Sequence, residues 1–195
     1  MVAFTSSTAN RDYSPASSLH VDQCVANLLN GDVIVDTKAH TAWGAAVTAQ
    51  MYLPARRERV WQQLIDYPRW VQYFPDVTQS QVLSTGNITT QGTTCGKRLY
   101  QAASKSFLFI TAQVEIYLHV VEMKGQQIQF DLESGSFTDF SANLKLKDYQ
   151  DGTVLTYYVQ ATPGLPIPSV FIQQAIHLDL PSNMRKMRQV ICDQV

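Results

Sequence analysis

The stretch that decides the fold is Ala45–Val82, AAVTAQMYLPARRERVWQQLIDYPRWVQYFPDVTQSQV. Ala45, Val47, Ala49, Met51 and Leu53 alternate with Ala46, Thr48, Gln50 and Tyr52, the period of a half-buried strand. Pro54 ends that strand and suits the first turn of a following helix, where a missing N–H has no partner to lose. Val60, Trp61, Leu64 and Ile65 recur at helical spacing, with Arg56, Arg57, Glu58 and Gln62 on the opposite side. Pro68 stops this helix near Asp66. Trp70, Val71 and Phe74 form a second short apolar stripe, which Pro75 terminates. The expected order is a strand, two short amphipathic helices and a second strand.

Downstream the pattern is a strand meander. Candidate strands run over Thr78–Ser84, Gly96–Ala103, Phe109–Met123, Gln127–Glu133, Phe137–Lys147 and Val154–Ala161, separated by Gly-rich turns such as Asp151–Gly152. With the first strand that makes about seven, joined by short turns and therefore antiparallel. Alternation assigns the faces. Val114, Ile116, Leu118 and Val120 oppose Gln113, Glu115, Tyr117 and His119, and Ile128, Phe130 and Leu132 oppose Gln127, Gln129, Asp131 and Glu133. Thr138, Phe140, Ala142, Leu144 and Leu146 make the inner face of the next strand, and Leu155, Tyr157, Val159 and Ala161 that of the last.

The cover for that apolar face is the C-terminal segment. Ile172, Ile176, Leu180, Met184, Met187 and Ile191 fall at spacings of three and four, one stripe of a long helix from about Pro168 that Pro181 interrupts. Phe171, Ala175 and Leu178 occupy the other side of its first half, which is apolar nearly all round. At the other end Ser6, Ser7, Thr8, Ser14, Pro15, Ser17 and Ser18 make a polar stretch, so residues 1–30 are expected to be a flexible tail ahead of one domain over 31–195. Val21 to Leu29 has room for one or two helical turns. DVIVD (32–36) is a short strand, either pairing with the sheet edge or opening a long bent strand that continues past Trp43.

Composition excludes several function classes. The 195 residues are 45% hydrophobic and 16% charged, and the net charge of −1 with no basic stripe disfavours nucleic acid. No apolar run reaches the roughly 20 residues needed to span a bilayer, and the N-terminus lacks a basic region followed by an apolar one. Transient membrane contact stays open, and an unexported, cytoplasmic protein is expected. Cys24, Cys95 and Cys192 are odd in number and widely separated, which favours reduced thiols over a disulfide framework. His20, His40, His119 and His177 are scattered, with no pair at the spacing a metal site needs. No metal and no cofactor is expected.

VWQQLIDYPRWVQYFPDV (Val60–Val77), the seven-strand antiparallel order, the loop PGLPIP (Pro163–Pro168) and a proline-kinked final helix (Val170–Val190) together resemble the START-like, or SRPBCC, superfamily. The nearest branch is that of polyketide cyclase/dehydrase and coenzyme-Q-binding lipid-transfer proteins. The resemblance covers about Ala45 to Val190. It implies an α+β helix-grip fold, a curved antiparallel sheet wrapped on the long C-terminal helix with a cavity between them. PGLPIP would border the cavity entrance.

Such a cavity would be lined by Ile116, Leu118, Phe130, Phe140 and Leu144 of the sheet and by Ile172, Ile176 and Leu180 of the helix. Trp61, Trp70 and Phe74 stand either as a ligand gate or as core anchors. Thr138 and Tyr157 are the polar exceptions on the inner faces, each giving a ligand one orienting hydrogen bond or satisfying a neighbouring backbone group. Arg98 and Tyr100 share a strand face, with Arg98 either at the cavity mouth or a solvated edge arginine. Glu115 and His119 lie on the outer side about 13 Å apart, too far for an acid–base pair. No residue is assigned a catalytic role. Three readings follow: non-catalytic binding or transport of a hydrophobic, lipid-like small molecule; a cyclase or aromatase acting on a polyketide-like substrate, for which Tyr157 with Arg98 is the available pairing; and an interaction module docking through the final helix.

Overall fold

The computed structural model describes residues 23–87, 95–107, 110–164 and 169–193, the side chains of 87, 95, 105–107, 110–112 and 169–178 excepted. Eight strands form one sheet: β1 (Ile34–Thr41), β2 (Gly44–Leu53), β3 (Val77–Asn87), β4 (Cys95–Phe107), β5 (Ile110–Met123), β6 (Gln127–Gly135), β7 (Phe137–Tyr149) and β8 (Gly152–Pro163). Their order across the sheet is β1-β2-β8-β7-β6-β5-β4-β3, with every neighbouring pair antiparallel. The helices are α1 (23–29), α2 (Arg57–Leu64), α3 (Trp70–Tyr73) and α4 (Ser169–Cys192), with a 3-10 turn over Tyr67–Arg69 between α2 and α3. This is the α+β helix-grip architecture.

The count of eight, against an expected seven, comes from β1. Its segment IVDTKAHT pairs with β2 as a hairpin turning at Ala42 and Trp43, with Thr41 opposite Gly44. Pro54 lies three residues ahead of α2 rather than in its first turn. The chain bends there first, because the Ala55 N–H turns back onto the Leu53 carbonyl (2.8 Å) and the Thr153 hydroxyl holds the Ala55 carbonyl (2.7 Å).

The inner face is built by alternation. Ala45, Val47, Ala49, Met51 and Leu53 of β2 are buried, as are Ile116, Leu118 and Val120 of β5, Ile128 and Phe130 of β6, and Ala142, Leu144 and Leu146 of β7. Leu180, Met184, Met187 and Ile191 of α4 close over them, and α4 rests on β1, β2 and α3. Pro181 lies inside α4, which continues on both sides of it. At roughly 25 cal/mol per Å² of apolar surface removed from water, this shared core is the main driving force for folding.

Candidate ligand-binding interior

The short helices deliver aromatic side chains to the inner face of the sheet. Trp61 of α2 is buried in the core, and the 3-10 turn and α3 bury Tyr67, Trp70 and Tyr73 beside it. Pro68 at the start of the 3-10 turn sets its backbone, which swings Tyr67 and Trp70 to the same side. Trp70 is held at both ends: its Nε1–H donates to the Leu64 carbonyl (2.9 Å), and its ring centroid lies 5.2 Å from Phe130. Tyr73 donates to the Gln63 carbonyl (2.9 Å), and burial pushes its phenol up to about 12.

From Trp70 the aromatic contacts continue along the inner face. Phe74 lies 5.8 Å from Trp70, and Tyr157 lies 6.4 Å from Phe74, centroid to centroid. The β2–β8–β7 register sets Tyr157 between Ala49 and Leu144, and Val159 between Val47 and Ala142. Here closure changes. Phe74, Leu132, Phe137, Phe140, Tyr157 and Val159 pack against the core yet keep accessible surface, whereas the residues flanking Tyr157 and Val159 in register are shut. Desolvation alone pushes the Tyr157 phenol up to about 12, and its hydroxyl has no hydrogen-bond partner among the described residues.

A charged cluster closes the other side of the aromatic group. Lys97 Nζ lies 2.7 Å from Glu122 Oε1, and the same oxygen accepts the Tyr67 hydroxyl at 2.6 Å. The ammonium also stands 5.2 Å from the centre of the Tyr67 ring. Burial, the hydrogen bond to Glu122 and the charge of that carboxylate together hold the Tyr67 phenol far above its ordinary range. Both donors converge on one carboxylate oxygen, so the cluster is bonded to itself.

Three expectations are corrected. Arg98 and Tyr100 do not face the interior: opposite residues in an antiparallel pair share a face, and Arg98 sits opposite His119 and Tyr100 opposite Tyr117, both on the outer side. Arg98, its side chain 47% exposed, binds Glu133 (2.6 Å), and Tyr100 donates to Glu115 (3.3 Å). The pairing of Arg98 with Tyr157 therefore does not exist. Thr138 is also exposed, because a register shift between Phe137 and Asp139 takes it out of the alternation and brings Phe137 inward, 5.7 Å from Phe140. Its hydroxyl donates to the Thr162 carbonyl (3.2 Å). Ile116, Leu118, Phe130, Leu144 and Leu180 are buried, and the side chains of Ile172 and Ile176 lie outside the described residues.

A family model described as polyketide cyclase/dehydrase and lipid transport matches residues 53–188. The chain belongs to the polyketide cyclase/dehydrase and lipid transport family. Solved structures share its fold. A fragment of a STAR-related lipid transfer protein from Xanthomonas axonopodis is 17% identical with a TM-score of 0.61, over 82% of this chain and 93% of that one. A START superfamily protein from Mycobacterium smegmatis is 16% identical with a TM-score of 0.59, over 84% and 99%. An aromatase/cyclase from Streptomyces is 12% identical with a TM-score of 0.57, over 77% and 93%. A search of curated proteins returns no match.

In this polyketide cyclase/dehydrase and lipid transport chain, the inward charges were legible one step beyond the apolar stripes. Continuing Leu118 and Val120 by two residues reaches Glu122, and stepping back two from Leu99 reaches Lys97. Their meeting with Tyr67 depends on contact across the fold. A separate surface cleft of about 440 Å³ lies outside the sheet, lined by Arg56, Arg57, Asp148, Asp151 and neighbours, with Arg57 and Asp148 paired at 3.1 Å. Among the described residues, no group of three His, Cys, Asp or Glu side chains is placed to hold a metal ion, and no helix is long and apolar enough to cross a membrane.

Proposed function

We propose that this protein binds or carries an apolar, lipid-like small molecule, without transforming it, in a hollow between the inner face of the sheet and α4. The observation that carries the reading is Tyr157. It is desolvated strongly enough to push its phenol up to about 12, yet it keeps accessible surface and leaves its hydroxyl unpartnered among the described residues. A side chain on the inner face that the core does not close over leaves room beside it for a ligand. The half-buried Phe74, Leu132, Phe140 and Val159 supply apolar walls of the kind that hold a ligand by burial, about 2.5 kcal/mol for each ~100 Å² of ligand surface taken from water.

A cyclase-type reaction is the second reading, favoured by the presence of Lys97, Glu122 and Tyr67 inside the fold. It ranks lower because those groups satisfy one another and Tyr67 lies against Trp70 and Phe130. Mass spectrometry of an organic extract from protein purified from its native host tests the binding reading. The expected result is a stoichiometric apolar compound that is recovered unchanged after incubation with the protein. Empty protein that also fails to take up a neutral apolar dye overturns it.

A further inference from the structure

On the inner face Tyr157 stands 6.4 Å from the Phe74 ring, centroid to centroid, and in register between the buried Ala49 and Leu144, with Leu132, Phe137, Phe140 and Val159 as further half-buried apolar side chains of the sheet. Two cations of β4 that precede Leu99 are committed elsewhere. Lys97 is paired with Glu122, and Arg98 is on the opposite face with Glu133. We propose that this site selects uncharged ligands carrying an oxygen acceptor, such as an ester or ketone carbonyl, with the Tyr157 hydroxyl as donor, and that it discriminates against carboxylates of the same carbon chain. The proposal rests on the binding reading above and names its ligand class.

The physical argument has two parts. The Tyr157 hydroxyl has no side-chain or backbone partner among the described residues, so a ligand that brings an acceptor to it gains a hydrogen bond that a hydrocarbon of equal size does not. Burial raises the phenol's pKa, so the hydroxyl keeps its proton at neutral pH and acts there as a neutral donor. A carboxylate brought to the same place would lose its hydration and meet no free cation among the described residues, a penalty that one neutral donor does not offset.

Displacement of Nile red by methyl decanoate, decane and decanoate tests this, at a pH where decanoate is ionised. For the unmodified protein, methyl decanoate should displace the dye at about tenfold lower concentration than decane, the factor one ordinary hydrogen bond supplies, with decanoate weakest. Tyr157→Phe should bring methyl decanoate to the level of decane while decane itself is unmoved. Decanoate equal to the ester, or an ester preference that survives Tyr157→Phe, overturns the selectivity and leaves the binding reading standing. Failure of the dye and all three compounds to bind overturns both. The ligand comparison on the unmodified protein needs no variant to fold.

Discussion

Lys97 and Glu122 meet at 2.7 Å inside the fold, their side chains only 18% and 10% exposed, at the end of a stripe that is otherwise apolar. The carboxylate also accepts the Tyr67 hydroxyl, so the 3-10 turn that carries Tyr67 is tied to β4 and β5 through one oxygen atom. Tyr67 and Trp70 hang from that turn and from α3, which makes the ion pair a pin for part of the aromatic packing on the inner face.

Removing one member of the pin should therefore be costly. Lys97→Met leaves Glu122 enclosed without its cation and should lower the free energy of unfolding by about 3–5 kcal/mol in chemical denaturation. Lys97→Met combined with Glu122→Leu should recover much of that loss, since two apolar groups need no partner. A single substitution costing no more than an exposed ion pair would sink the assignment.

Alkali should destabilise the protein before it ionises the buried phenols. Tyr73 and Tyr157 are pushed up to about 12 and Tyr67 further in the same direction, whereas an unfolded tyrosine titrates near 10. Their contribution is fully present below about pH 10. Above it the unfolded chain binds fewer protons than the folded one, so stability falls as pH rises through the window from about 10 to 12. Tyr157→Phe should make that fall shallower, as read from thermal midpoints across the window.

Gly135 joins β6 to β7 with φ +138, and a Cβ there would come within 2.3 Å of the Glu115 carbonyl oxygen. Both the dihedral and the space exclude a side chain. Gly135→Ala should destabilise the fold by about 1–3 kcal/mol. An unaltered midpoint in urea would show that the backbone relaxes freely at this junction.

Two substitutions on opposite faces of the sheet separate wall from exterior. Val159→Trp adds bulk beside Tyr157 and should abolish uptake of a neutral apolar dye, with the far-ultraviolet circular dichroism spectrum preserved. Arg98→Ala removes an exposed ion pair and should leave both dye uptake and thermal midpoint unchanged. Loss of uptake in the arginine variant would return Arg98 to the ligand site.

Much of this architecture is legible in short stretches of chain. Alternation in β2, β5 and β6 identifies their buried residues, and spacings of three and four place Leu180, Met184, Met187 and Ile191 on the covering stripe. These readings succeed because side-chain direction within one strand or helix follows from local geometry. They fail where the geometry is interrupted. At Thr138 the shift beside Phe137 exchanges inner for outer, whereas the strand expected at DVIVD does form, over Ile34–Thr41, and pairs with β2 across the turn at Ala42 and Trp43.

The sequence by itself determined the order of strands and helices, the apolar inner set and the helix that covers it, because each depends on a period read along a few consecutive residues. Only the tertiary structure decided which way β4 faces, which charges lie inside and which inner-face residues stay half-buried. Those properties depend on register between strands and on contacts such as Tyr67 with Glu122, 55 positions apart in the chain. No local period encodes such a contact; it exists once the sheet has curved and the aromatic turn has settled onto it.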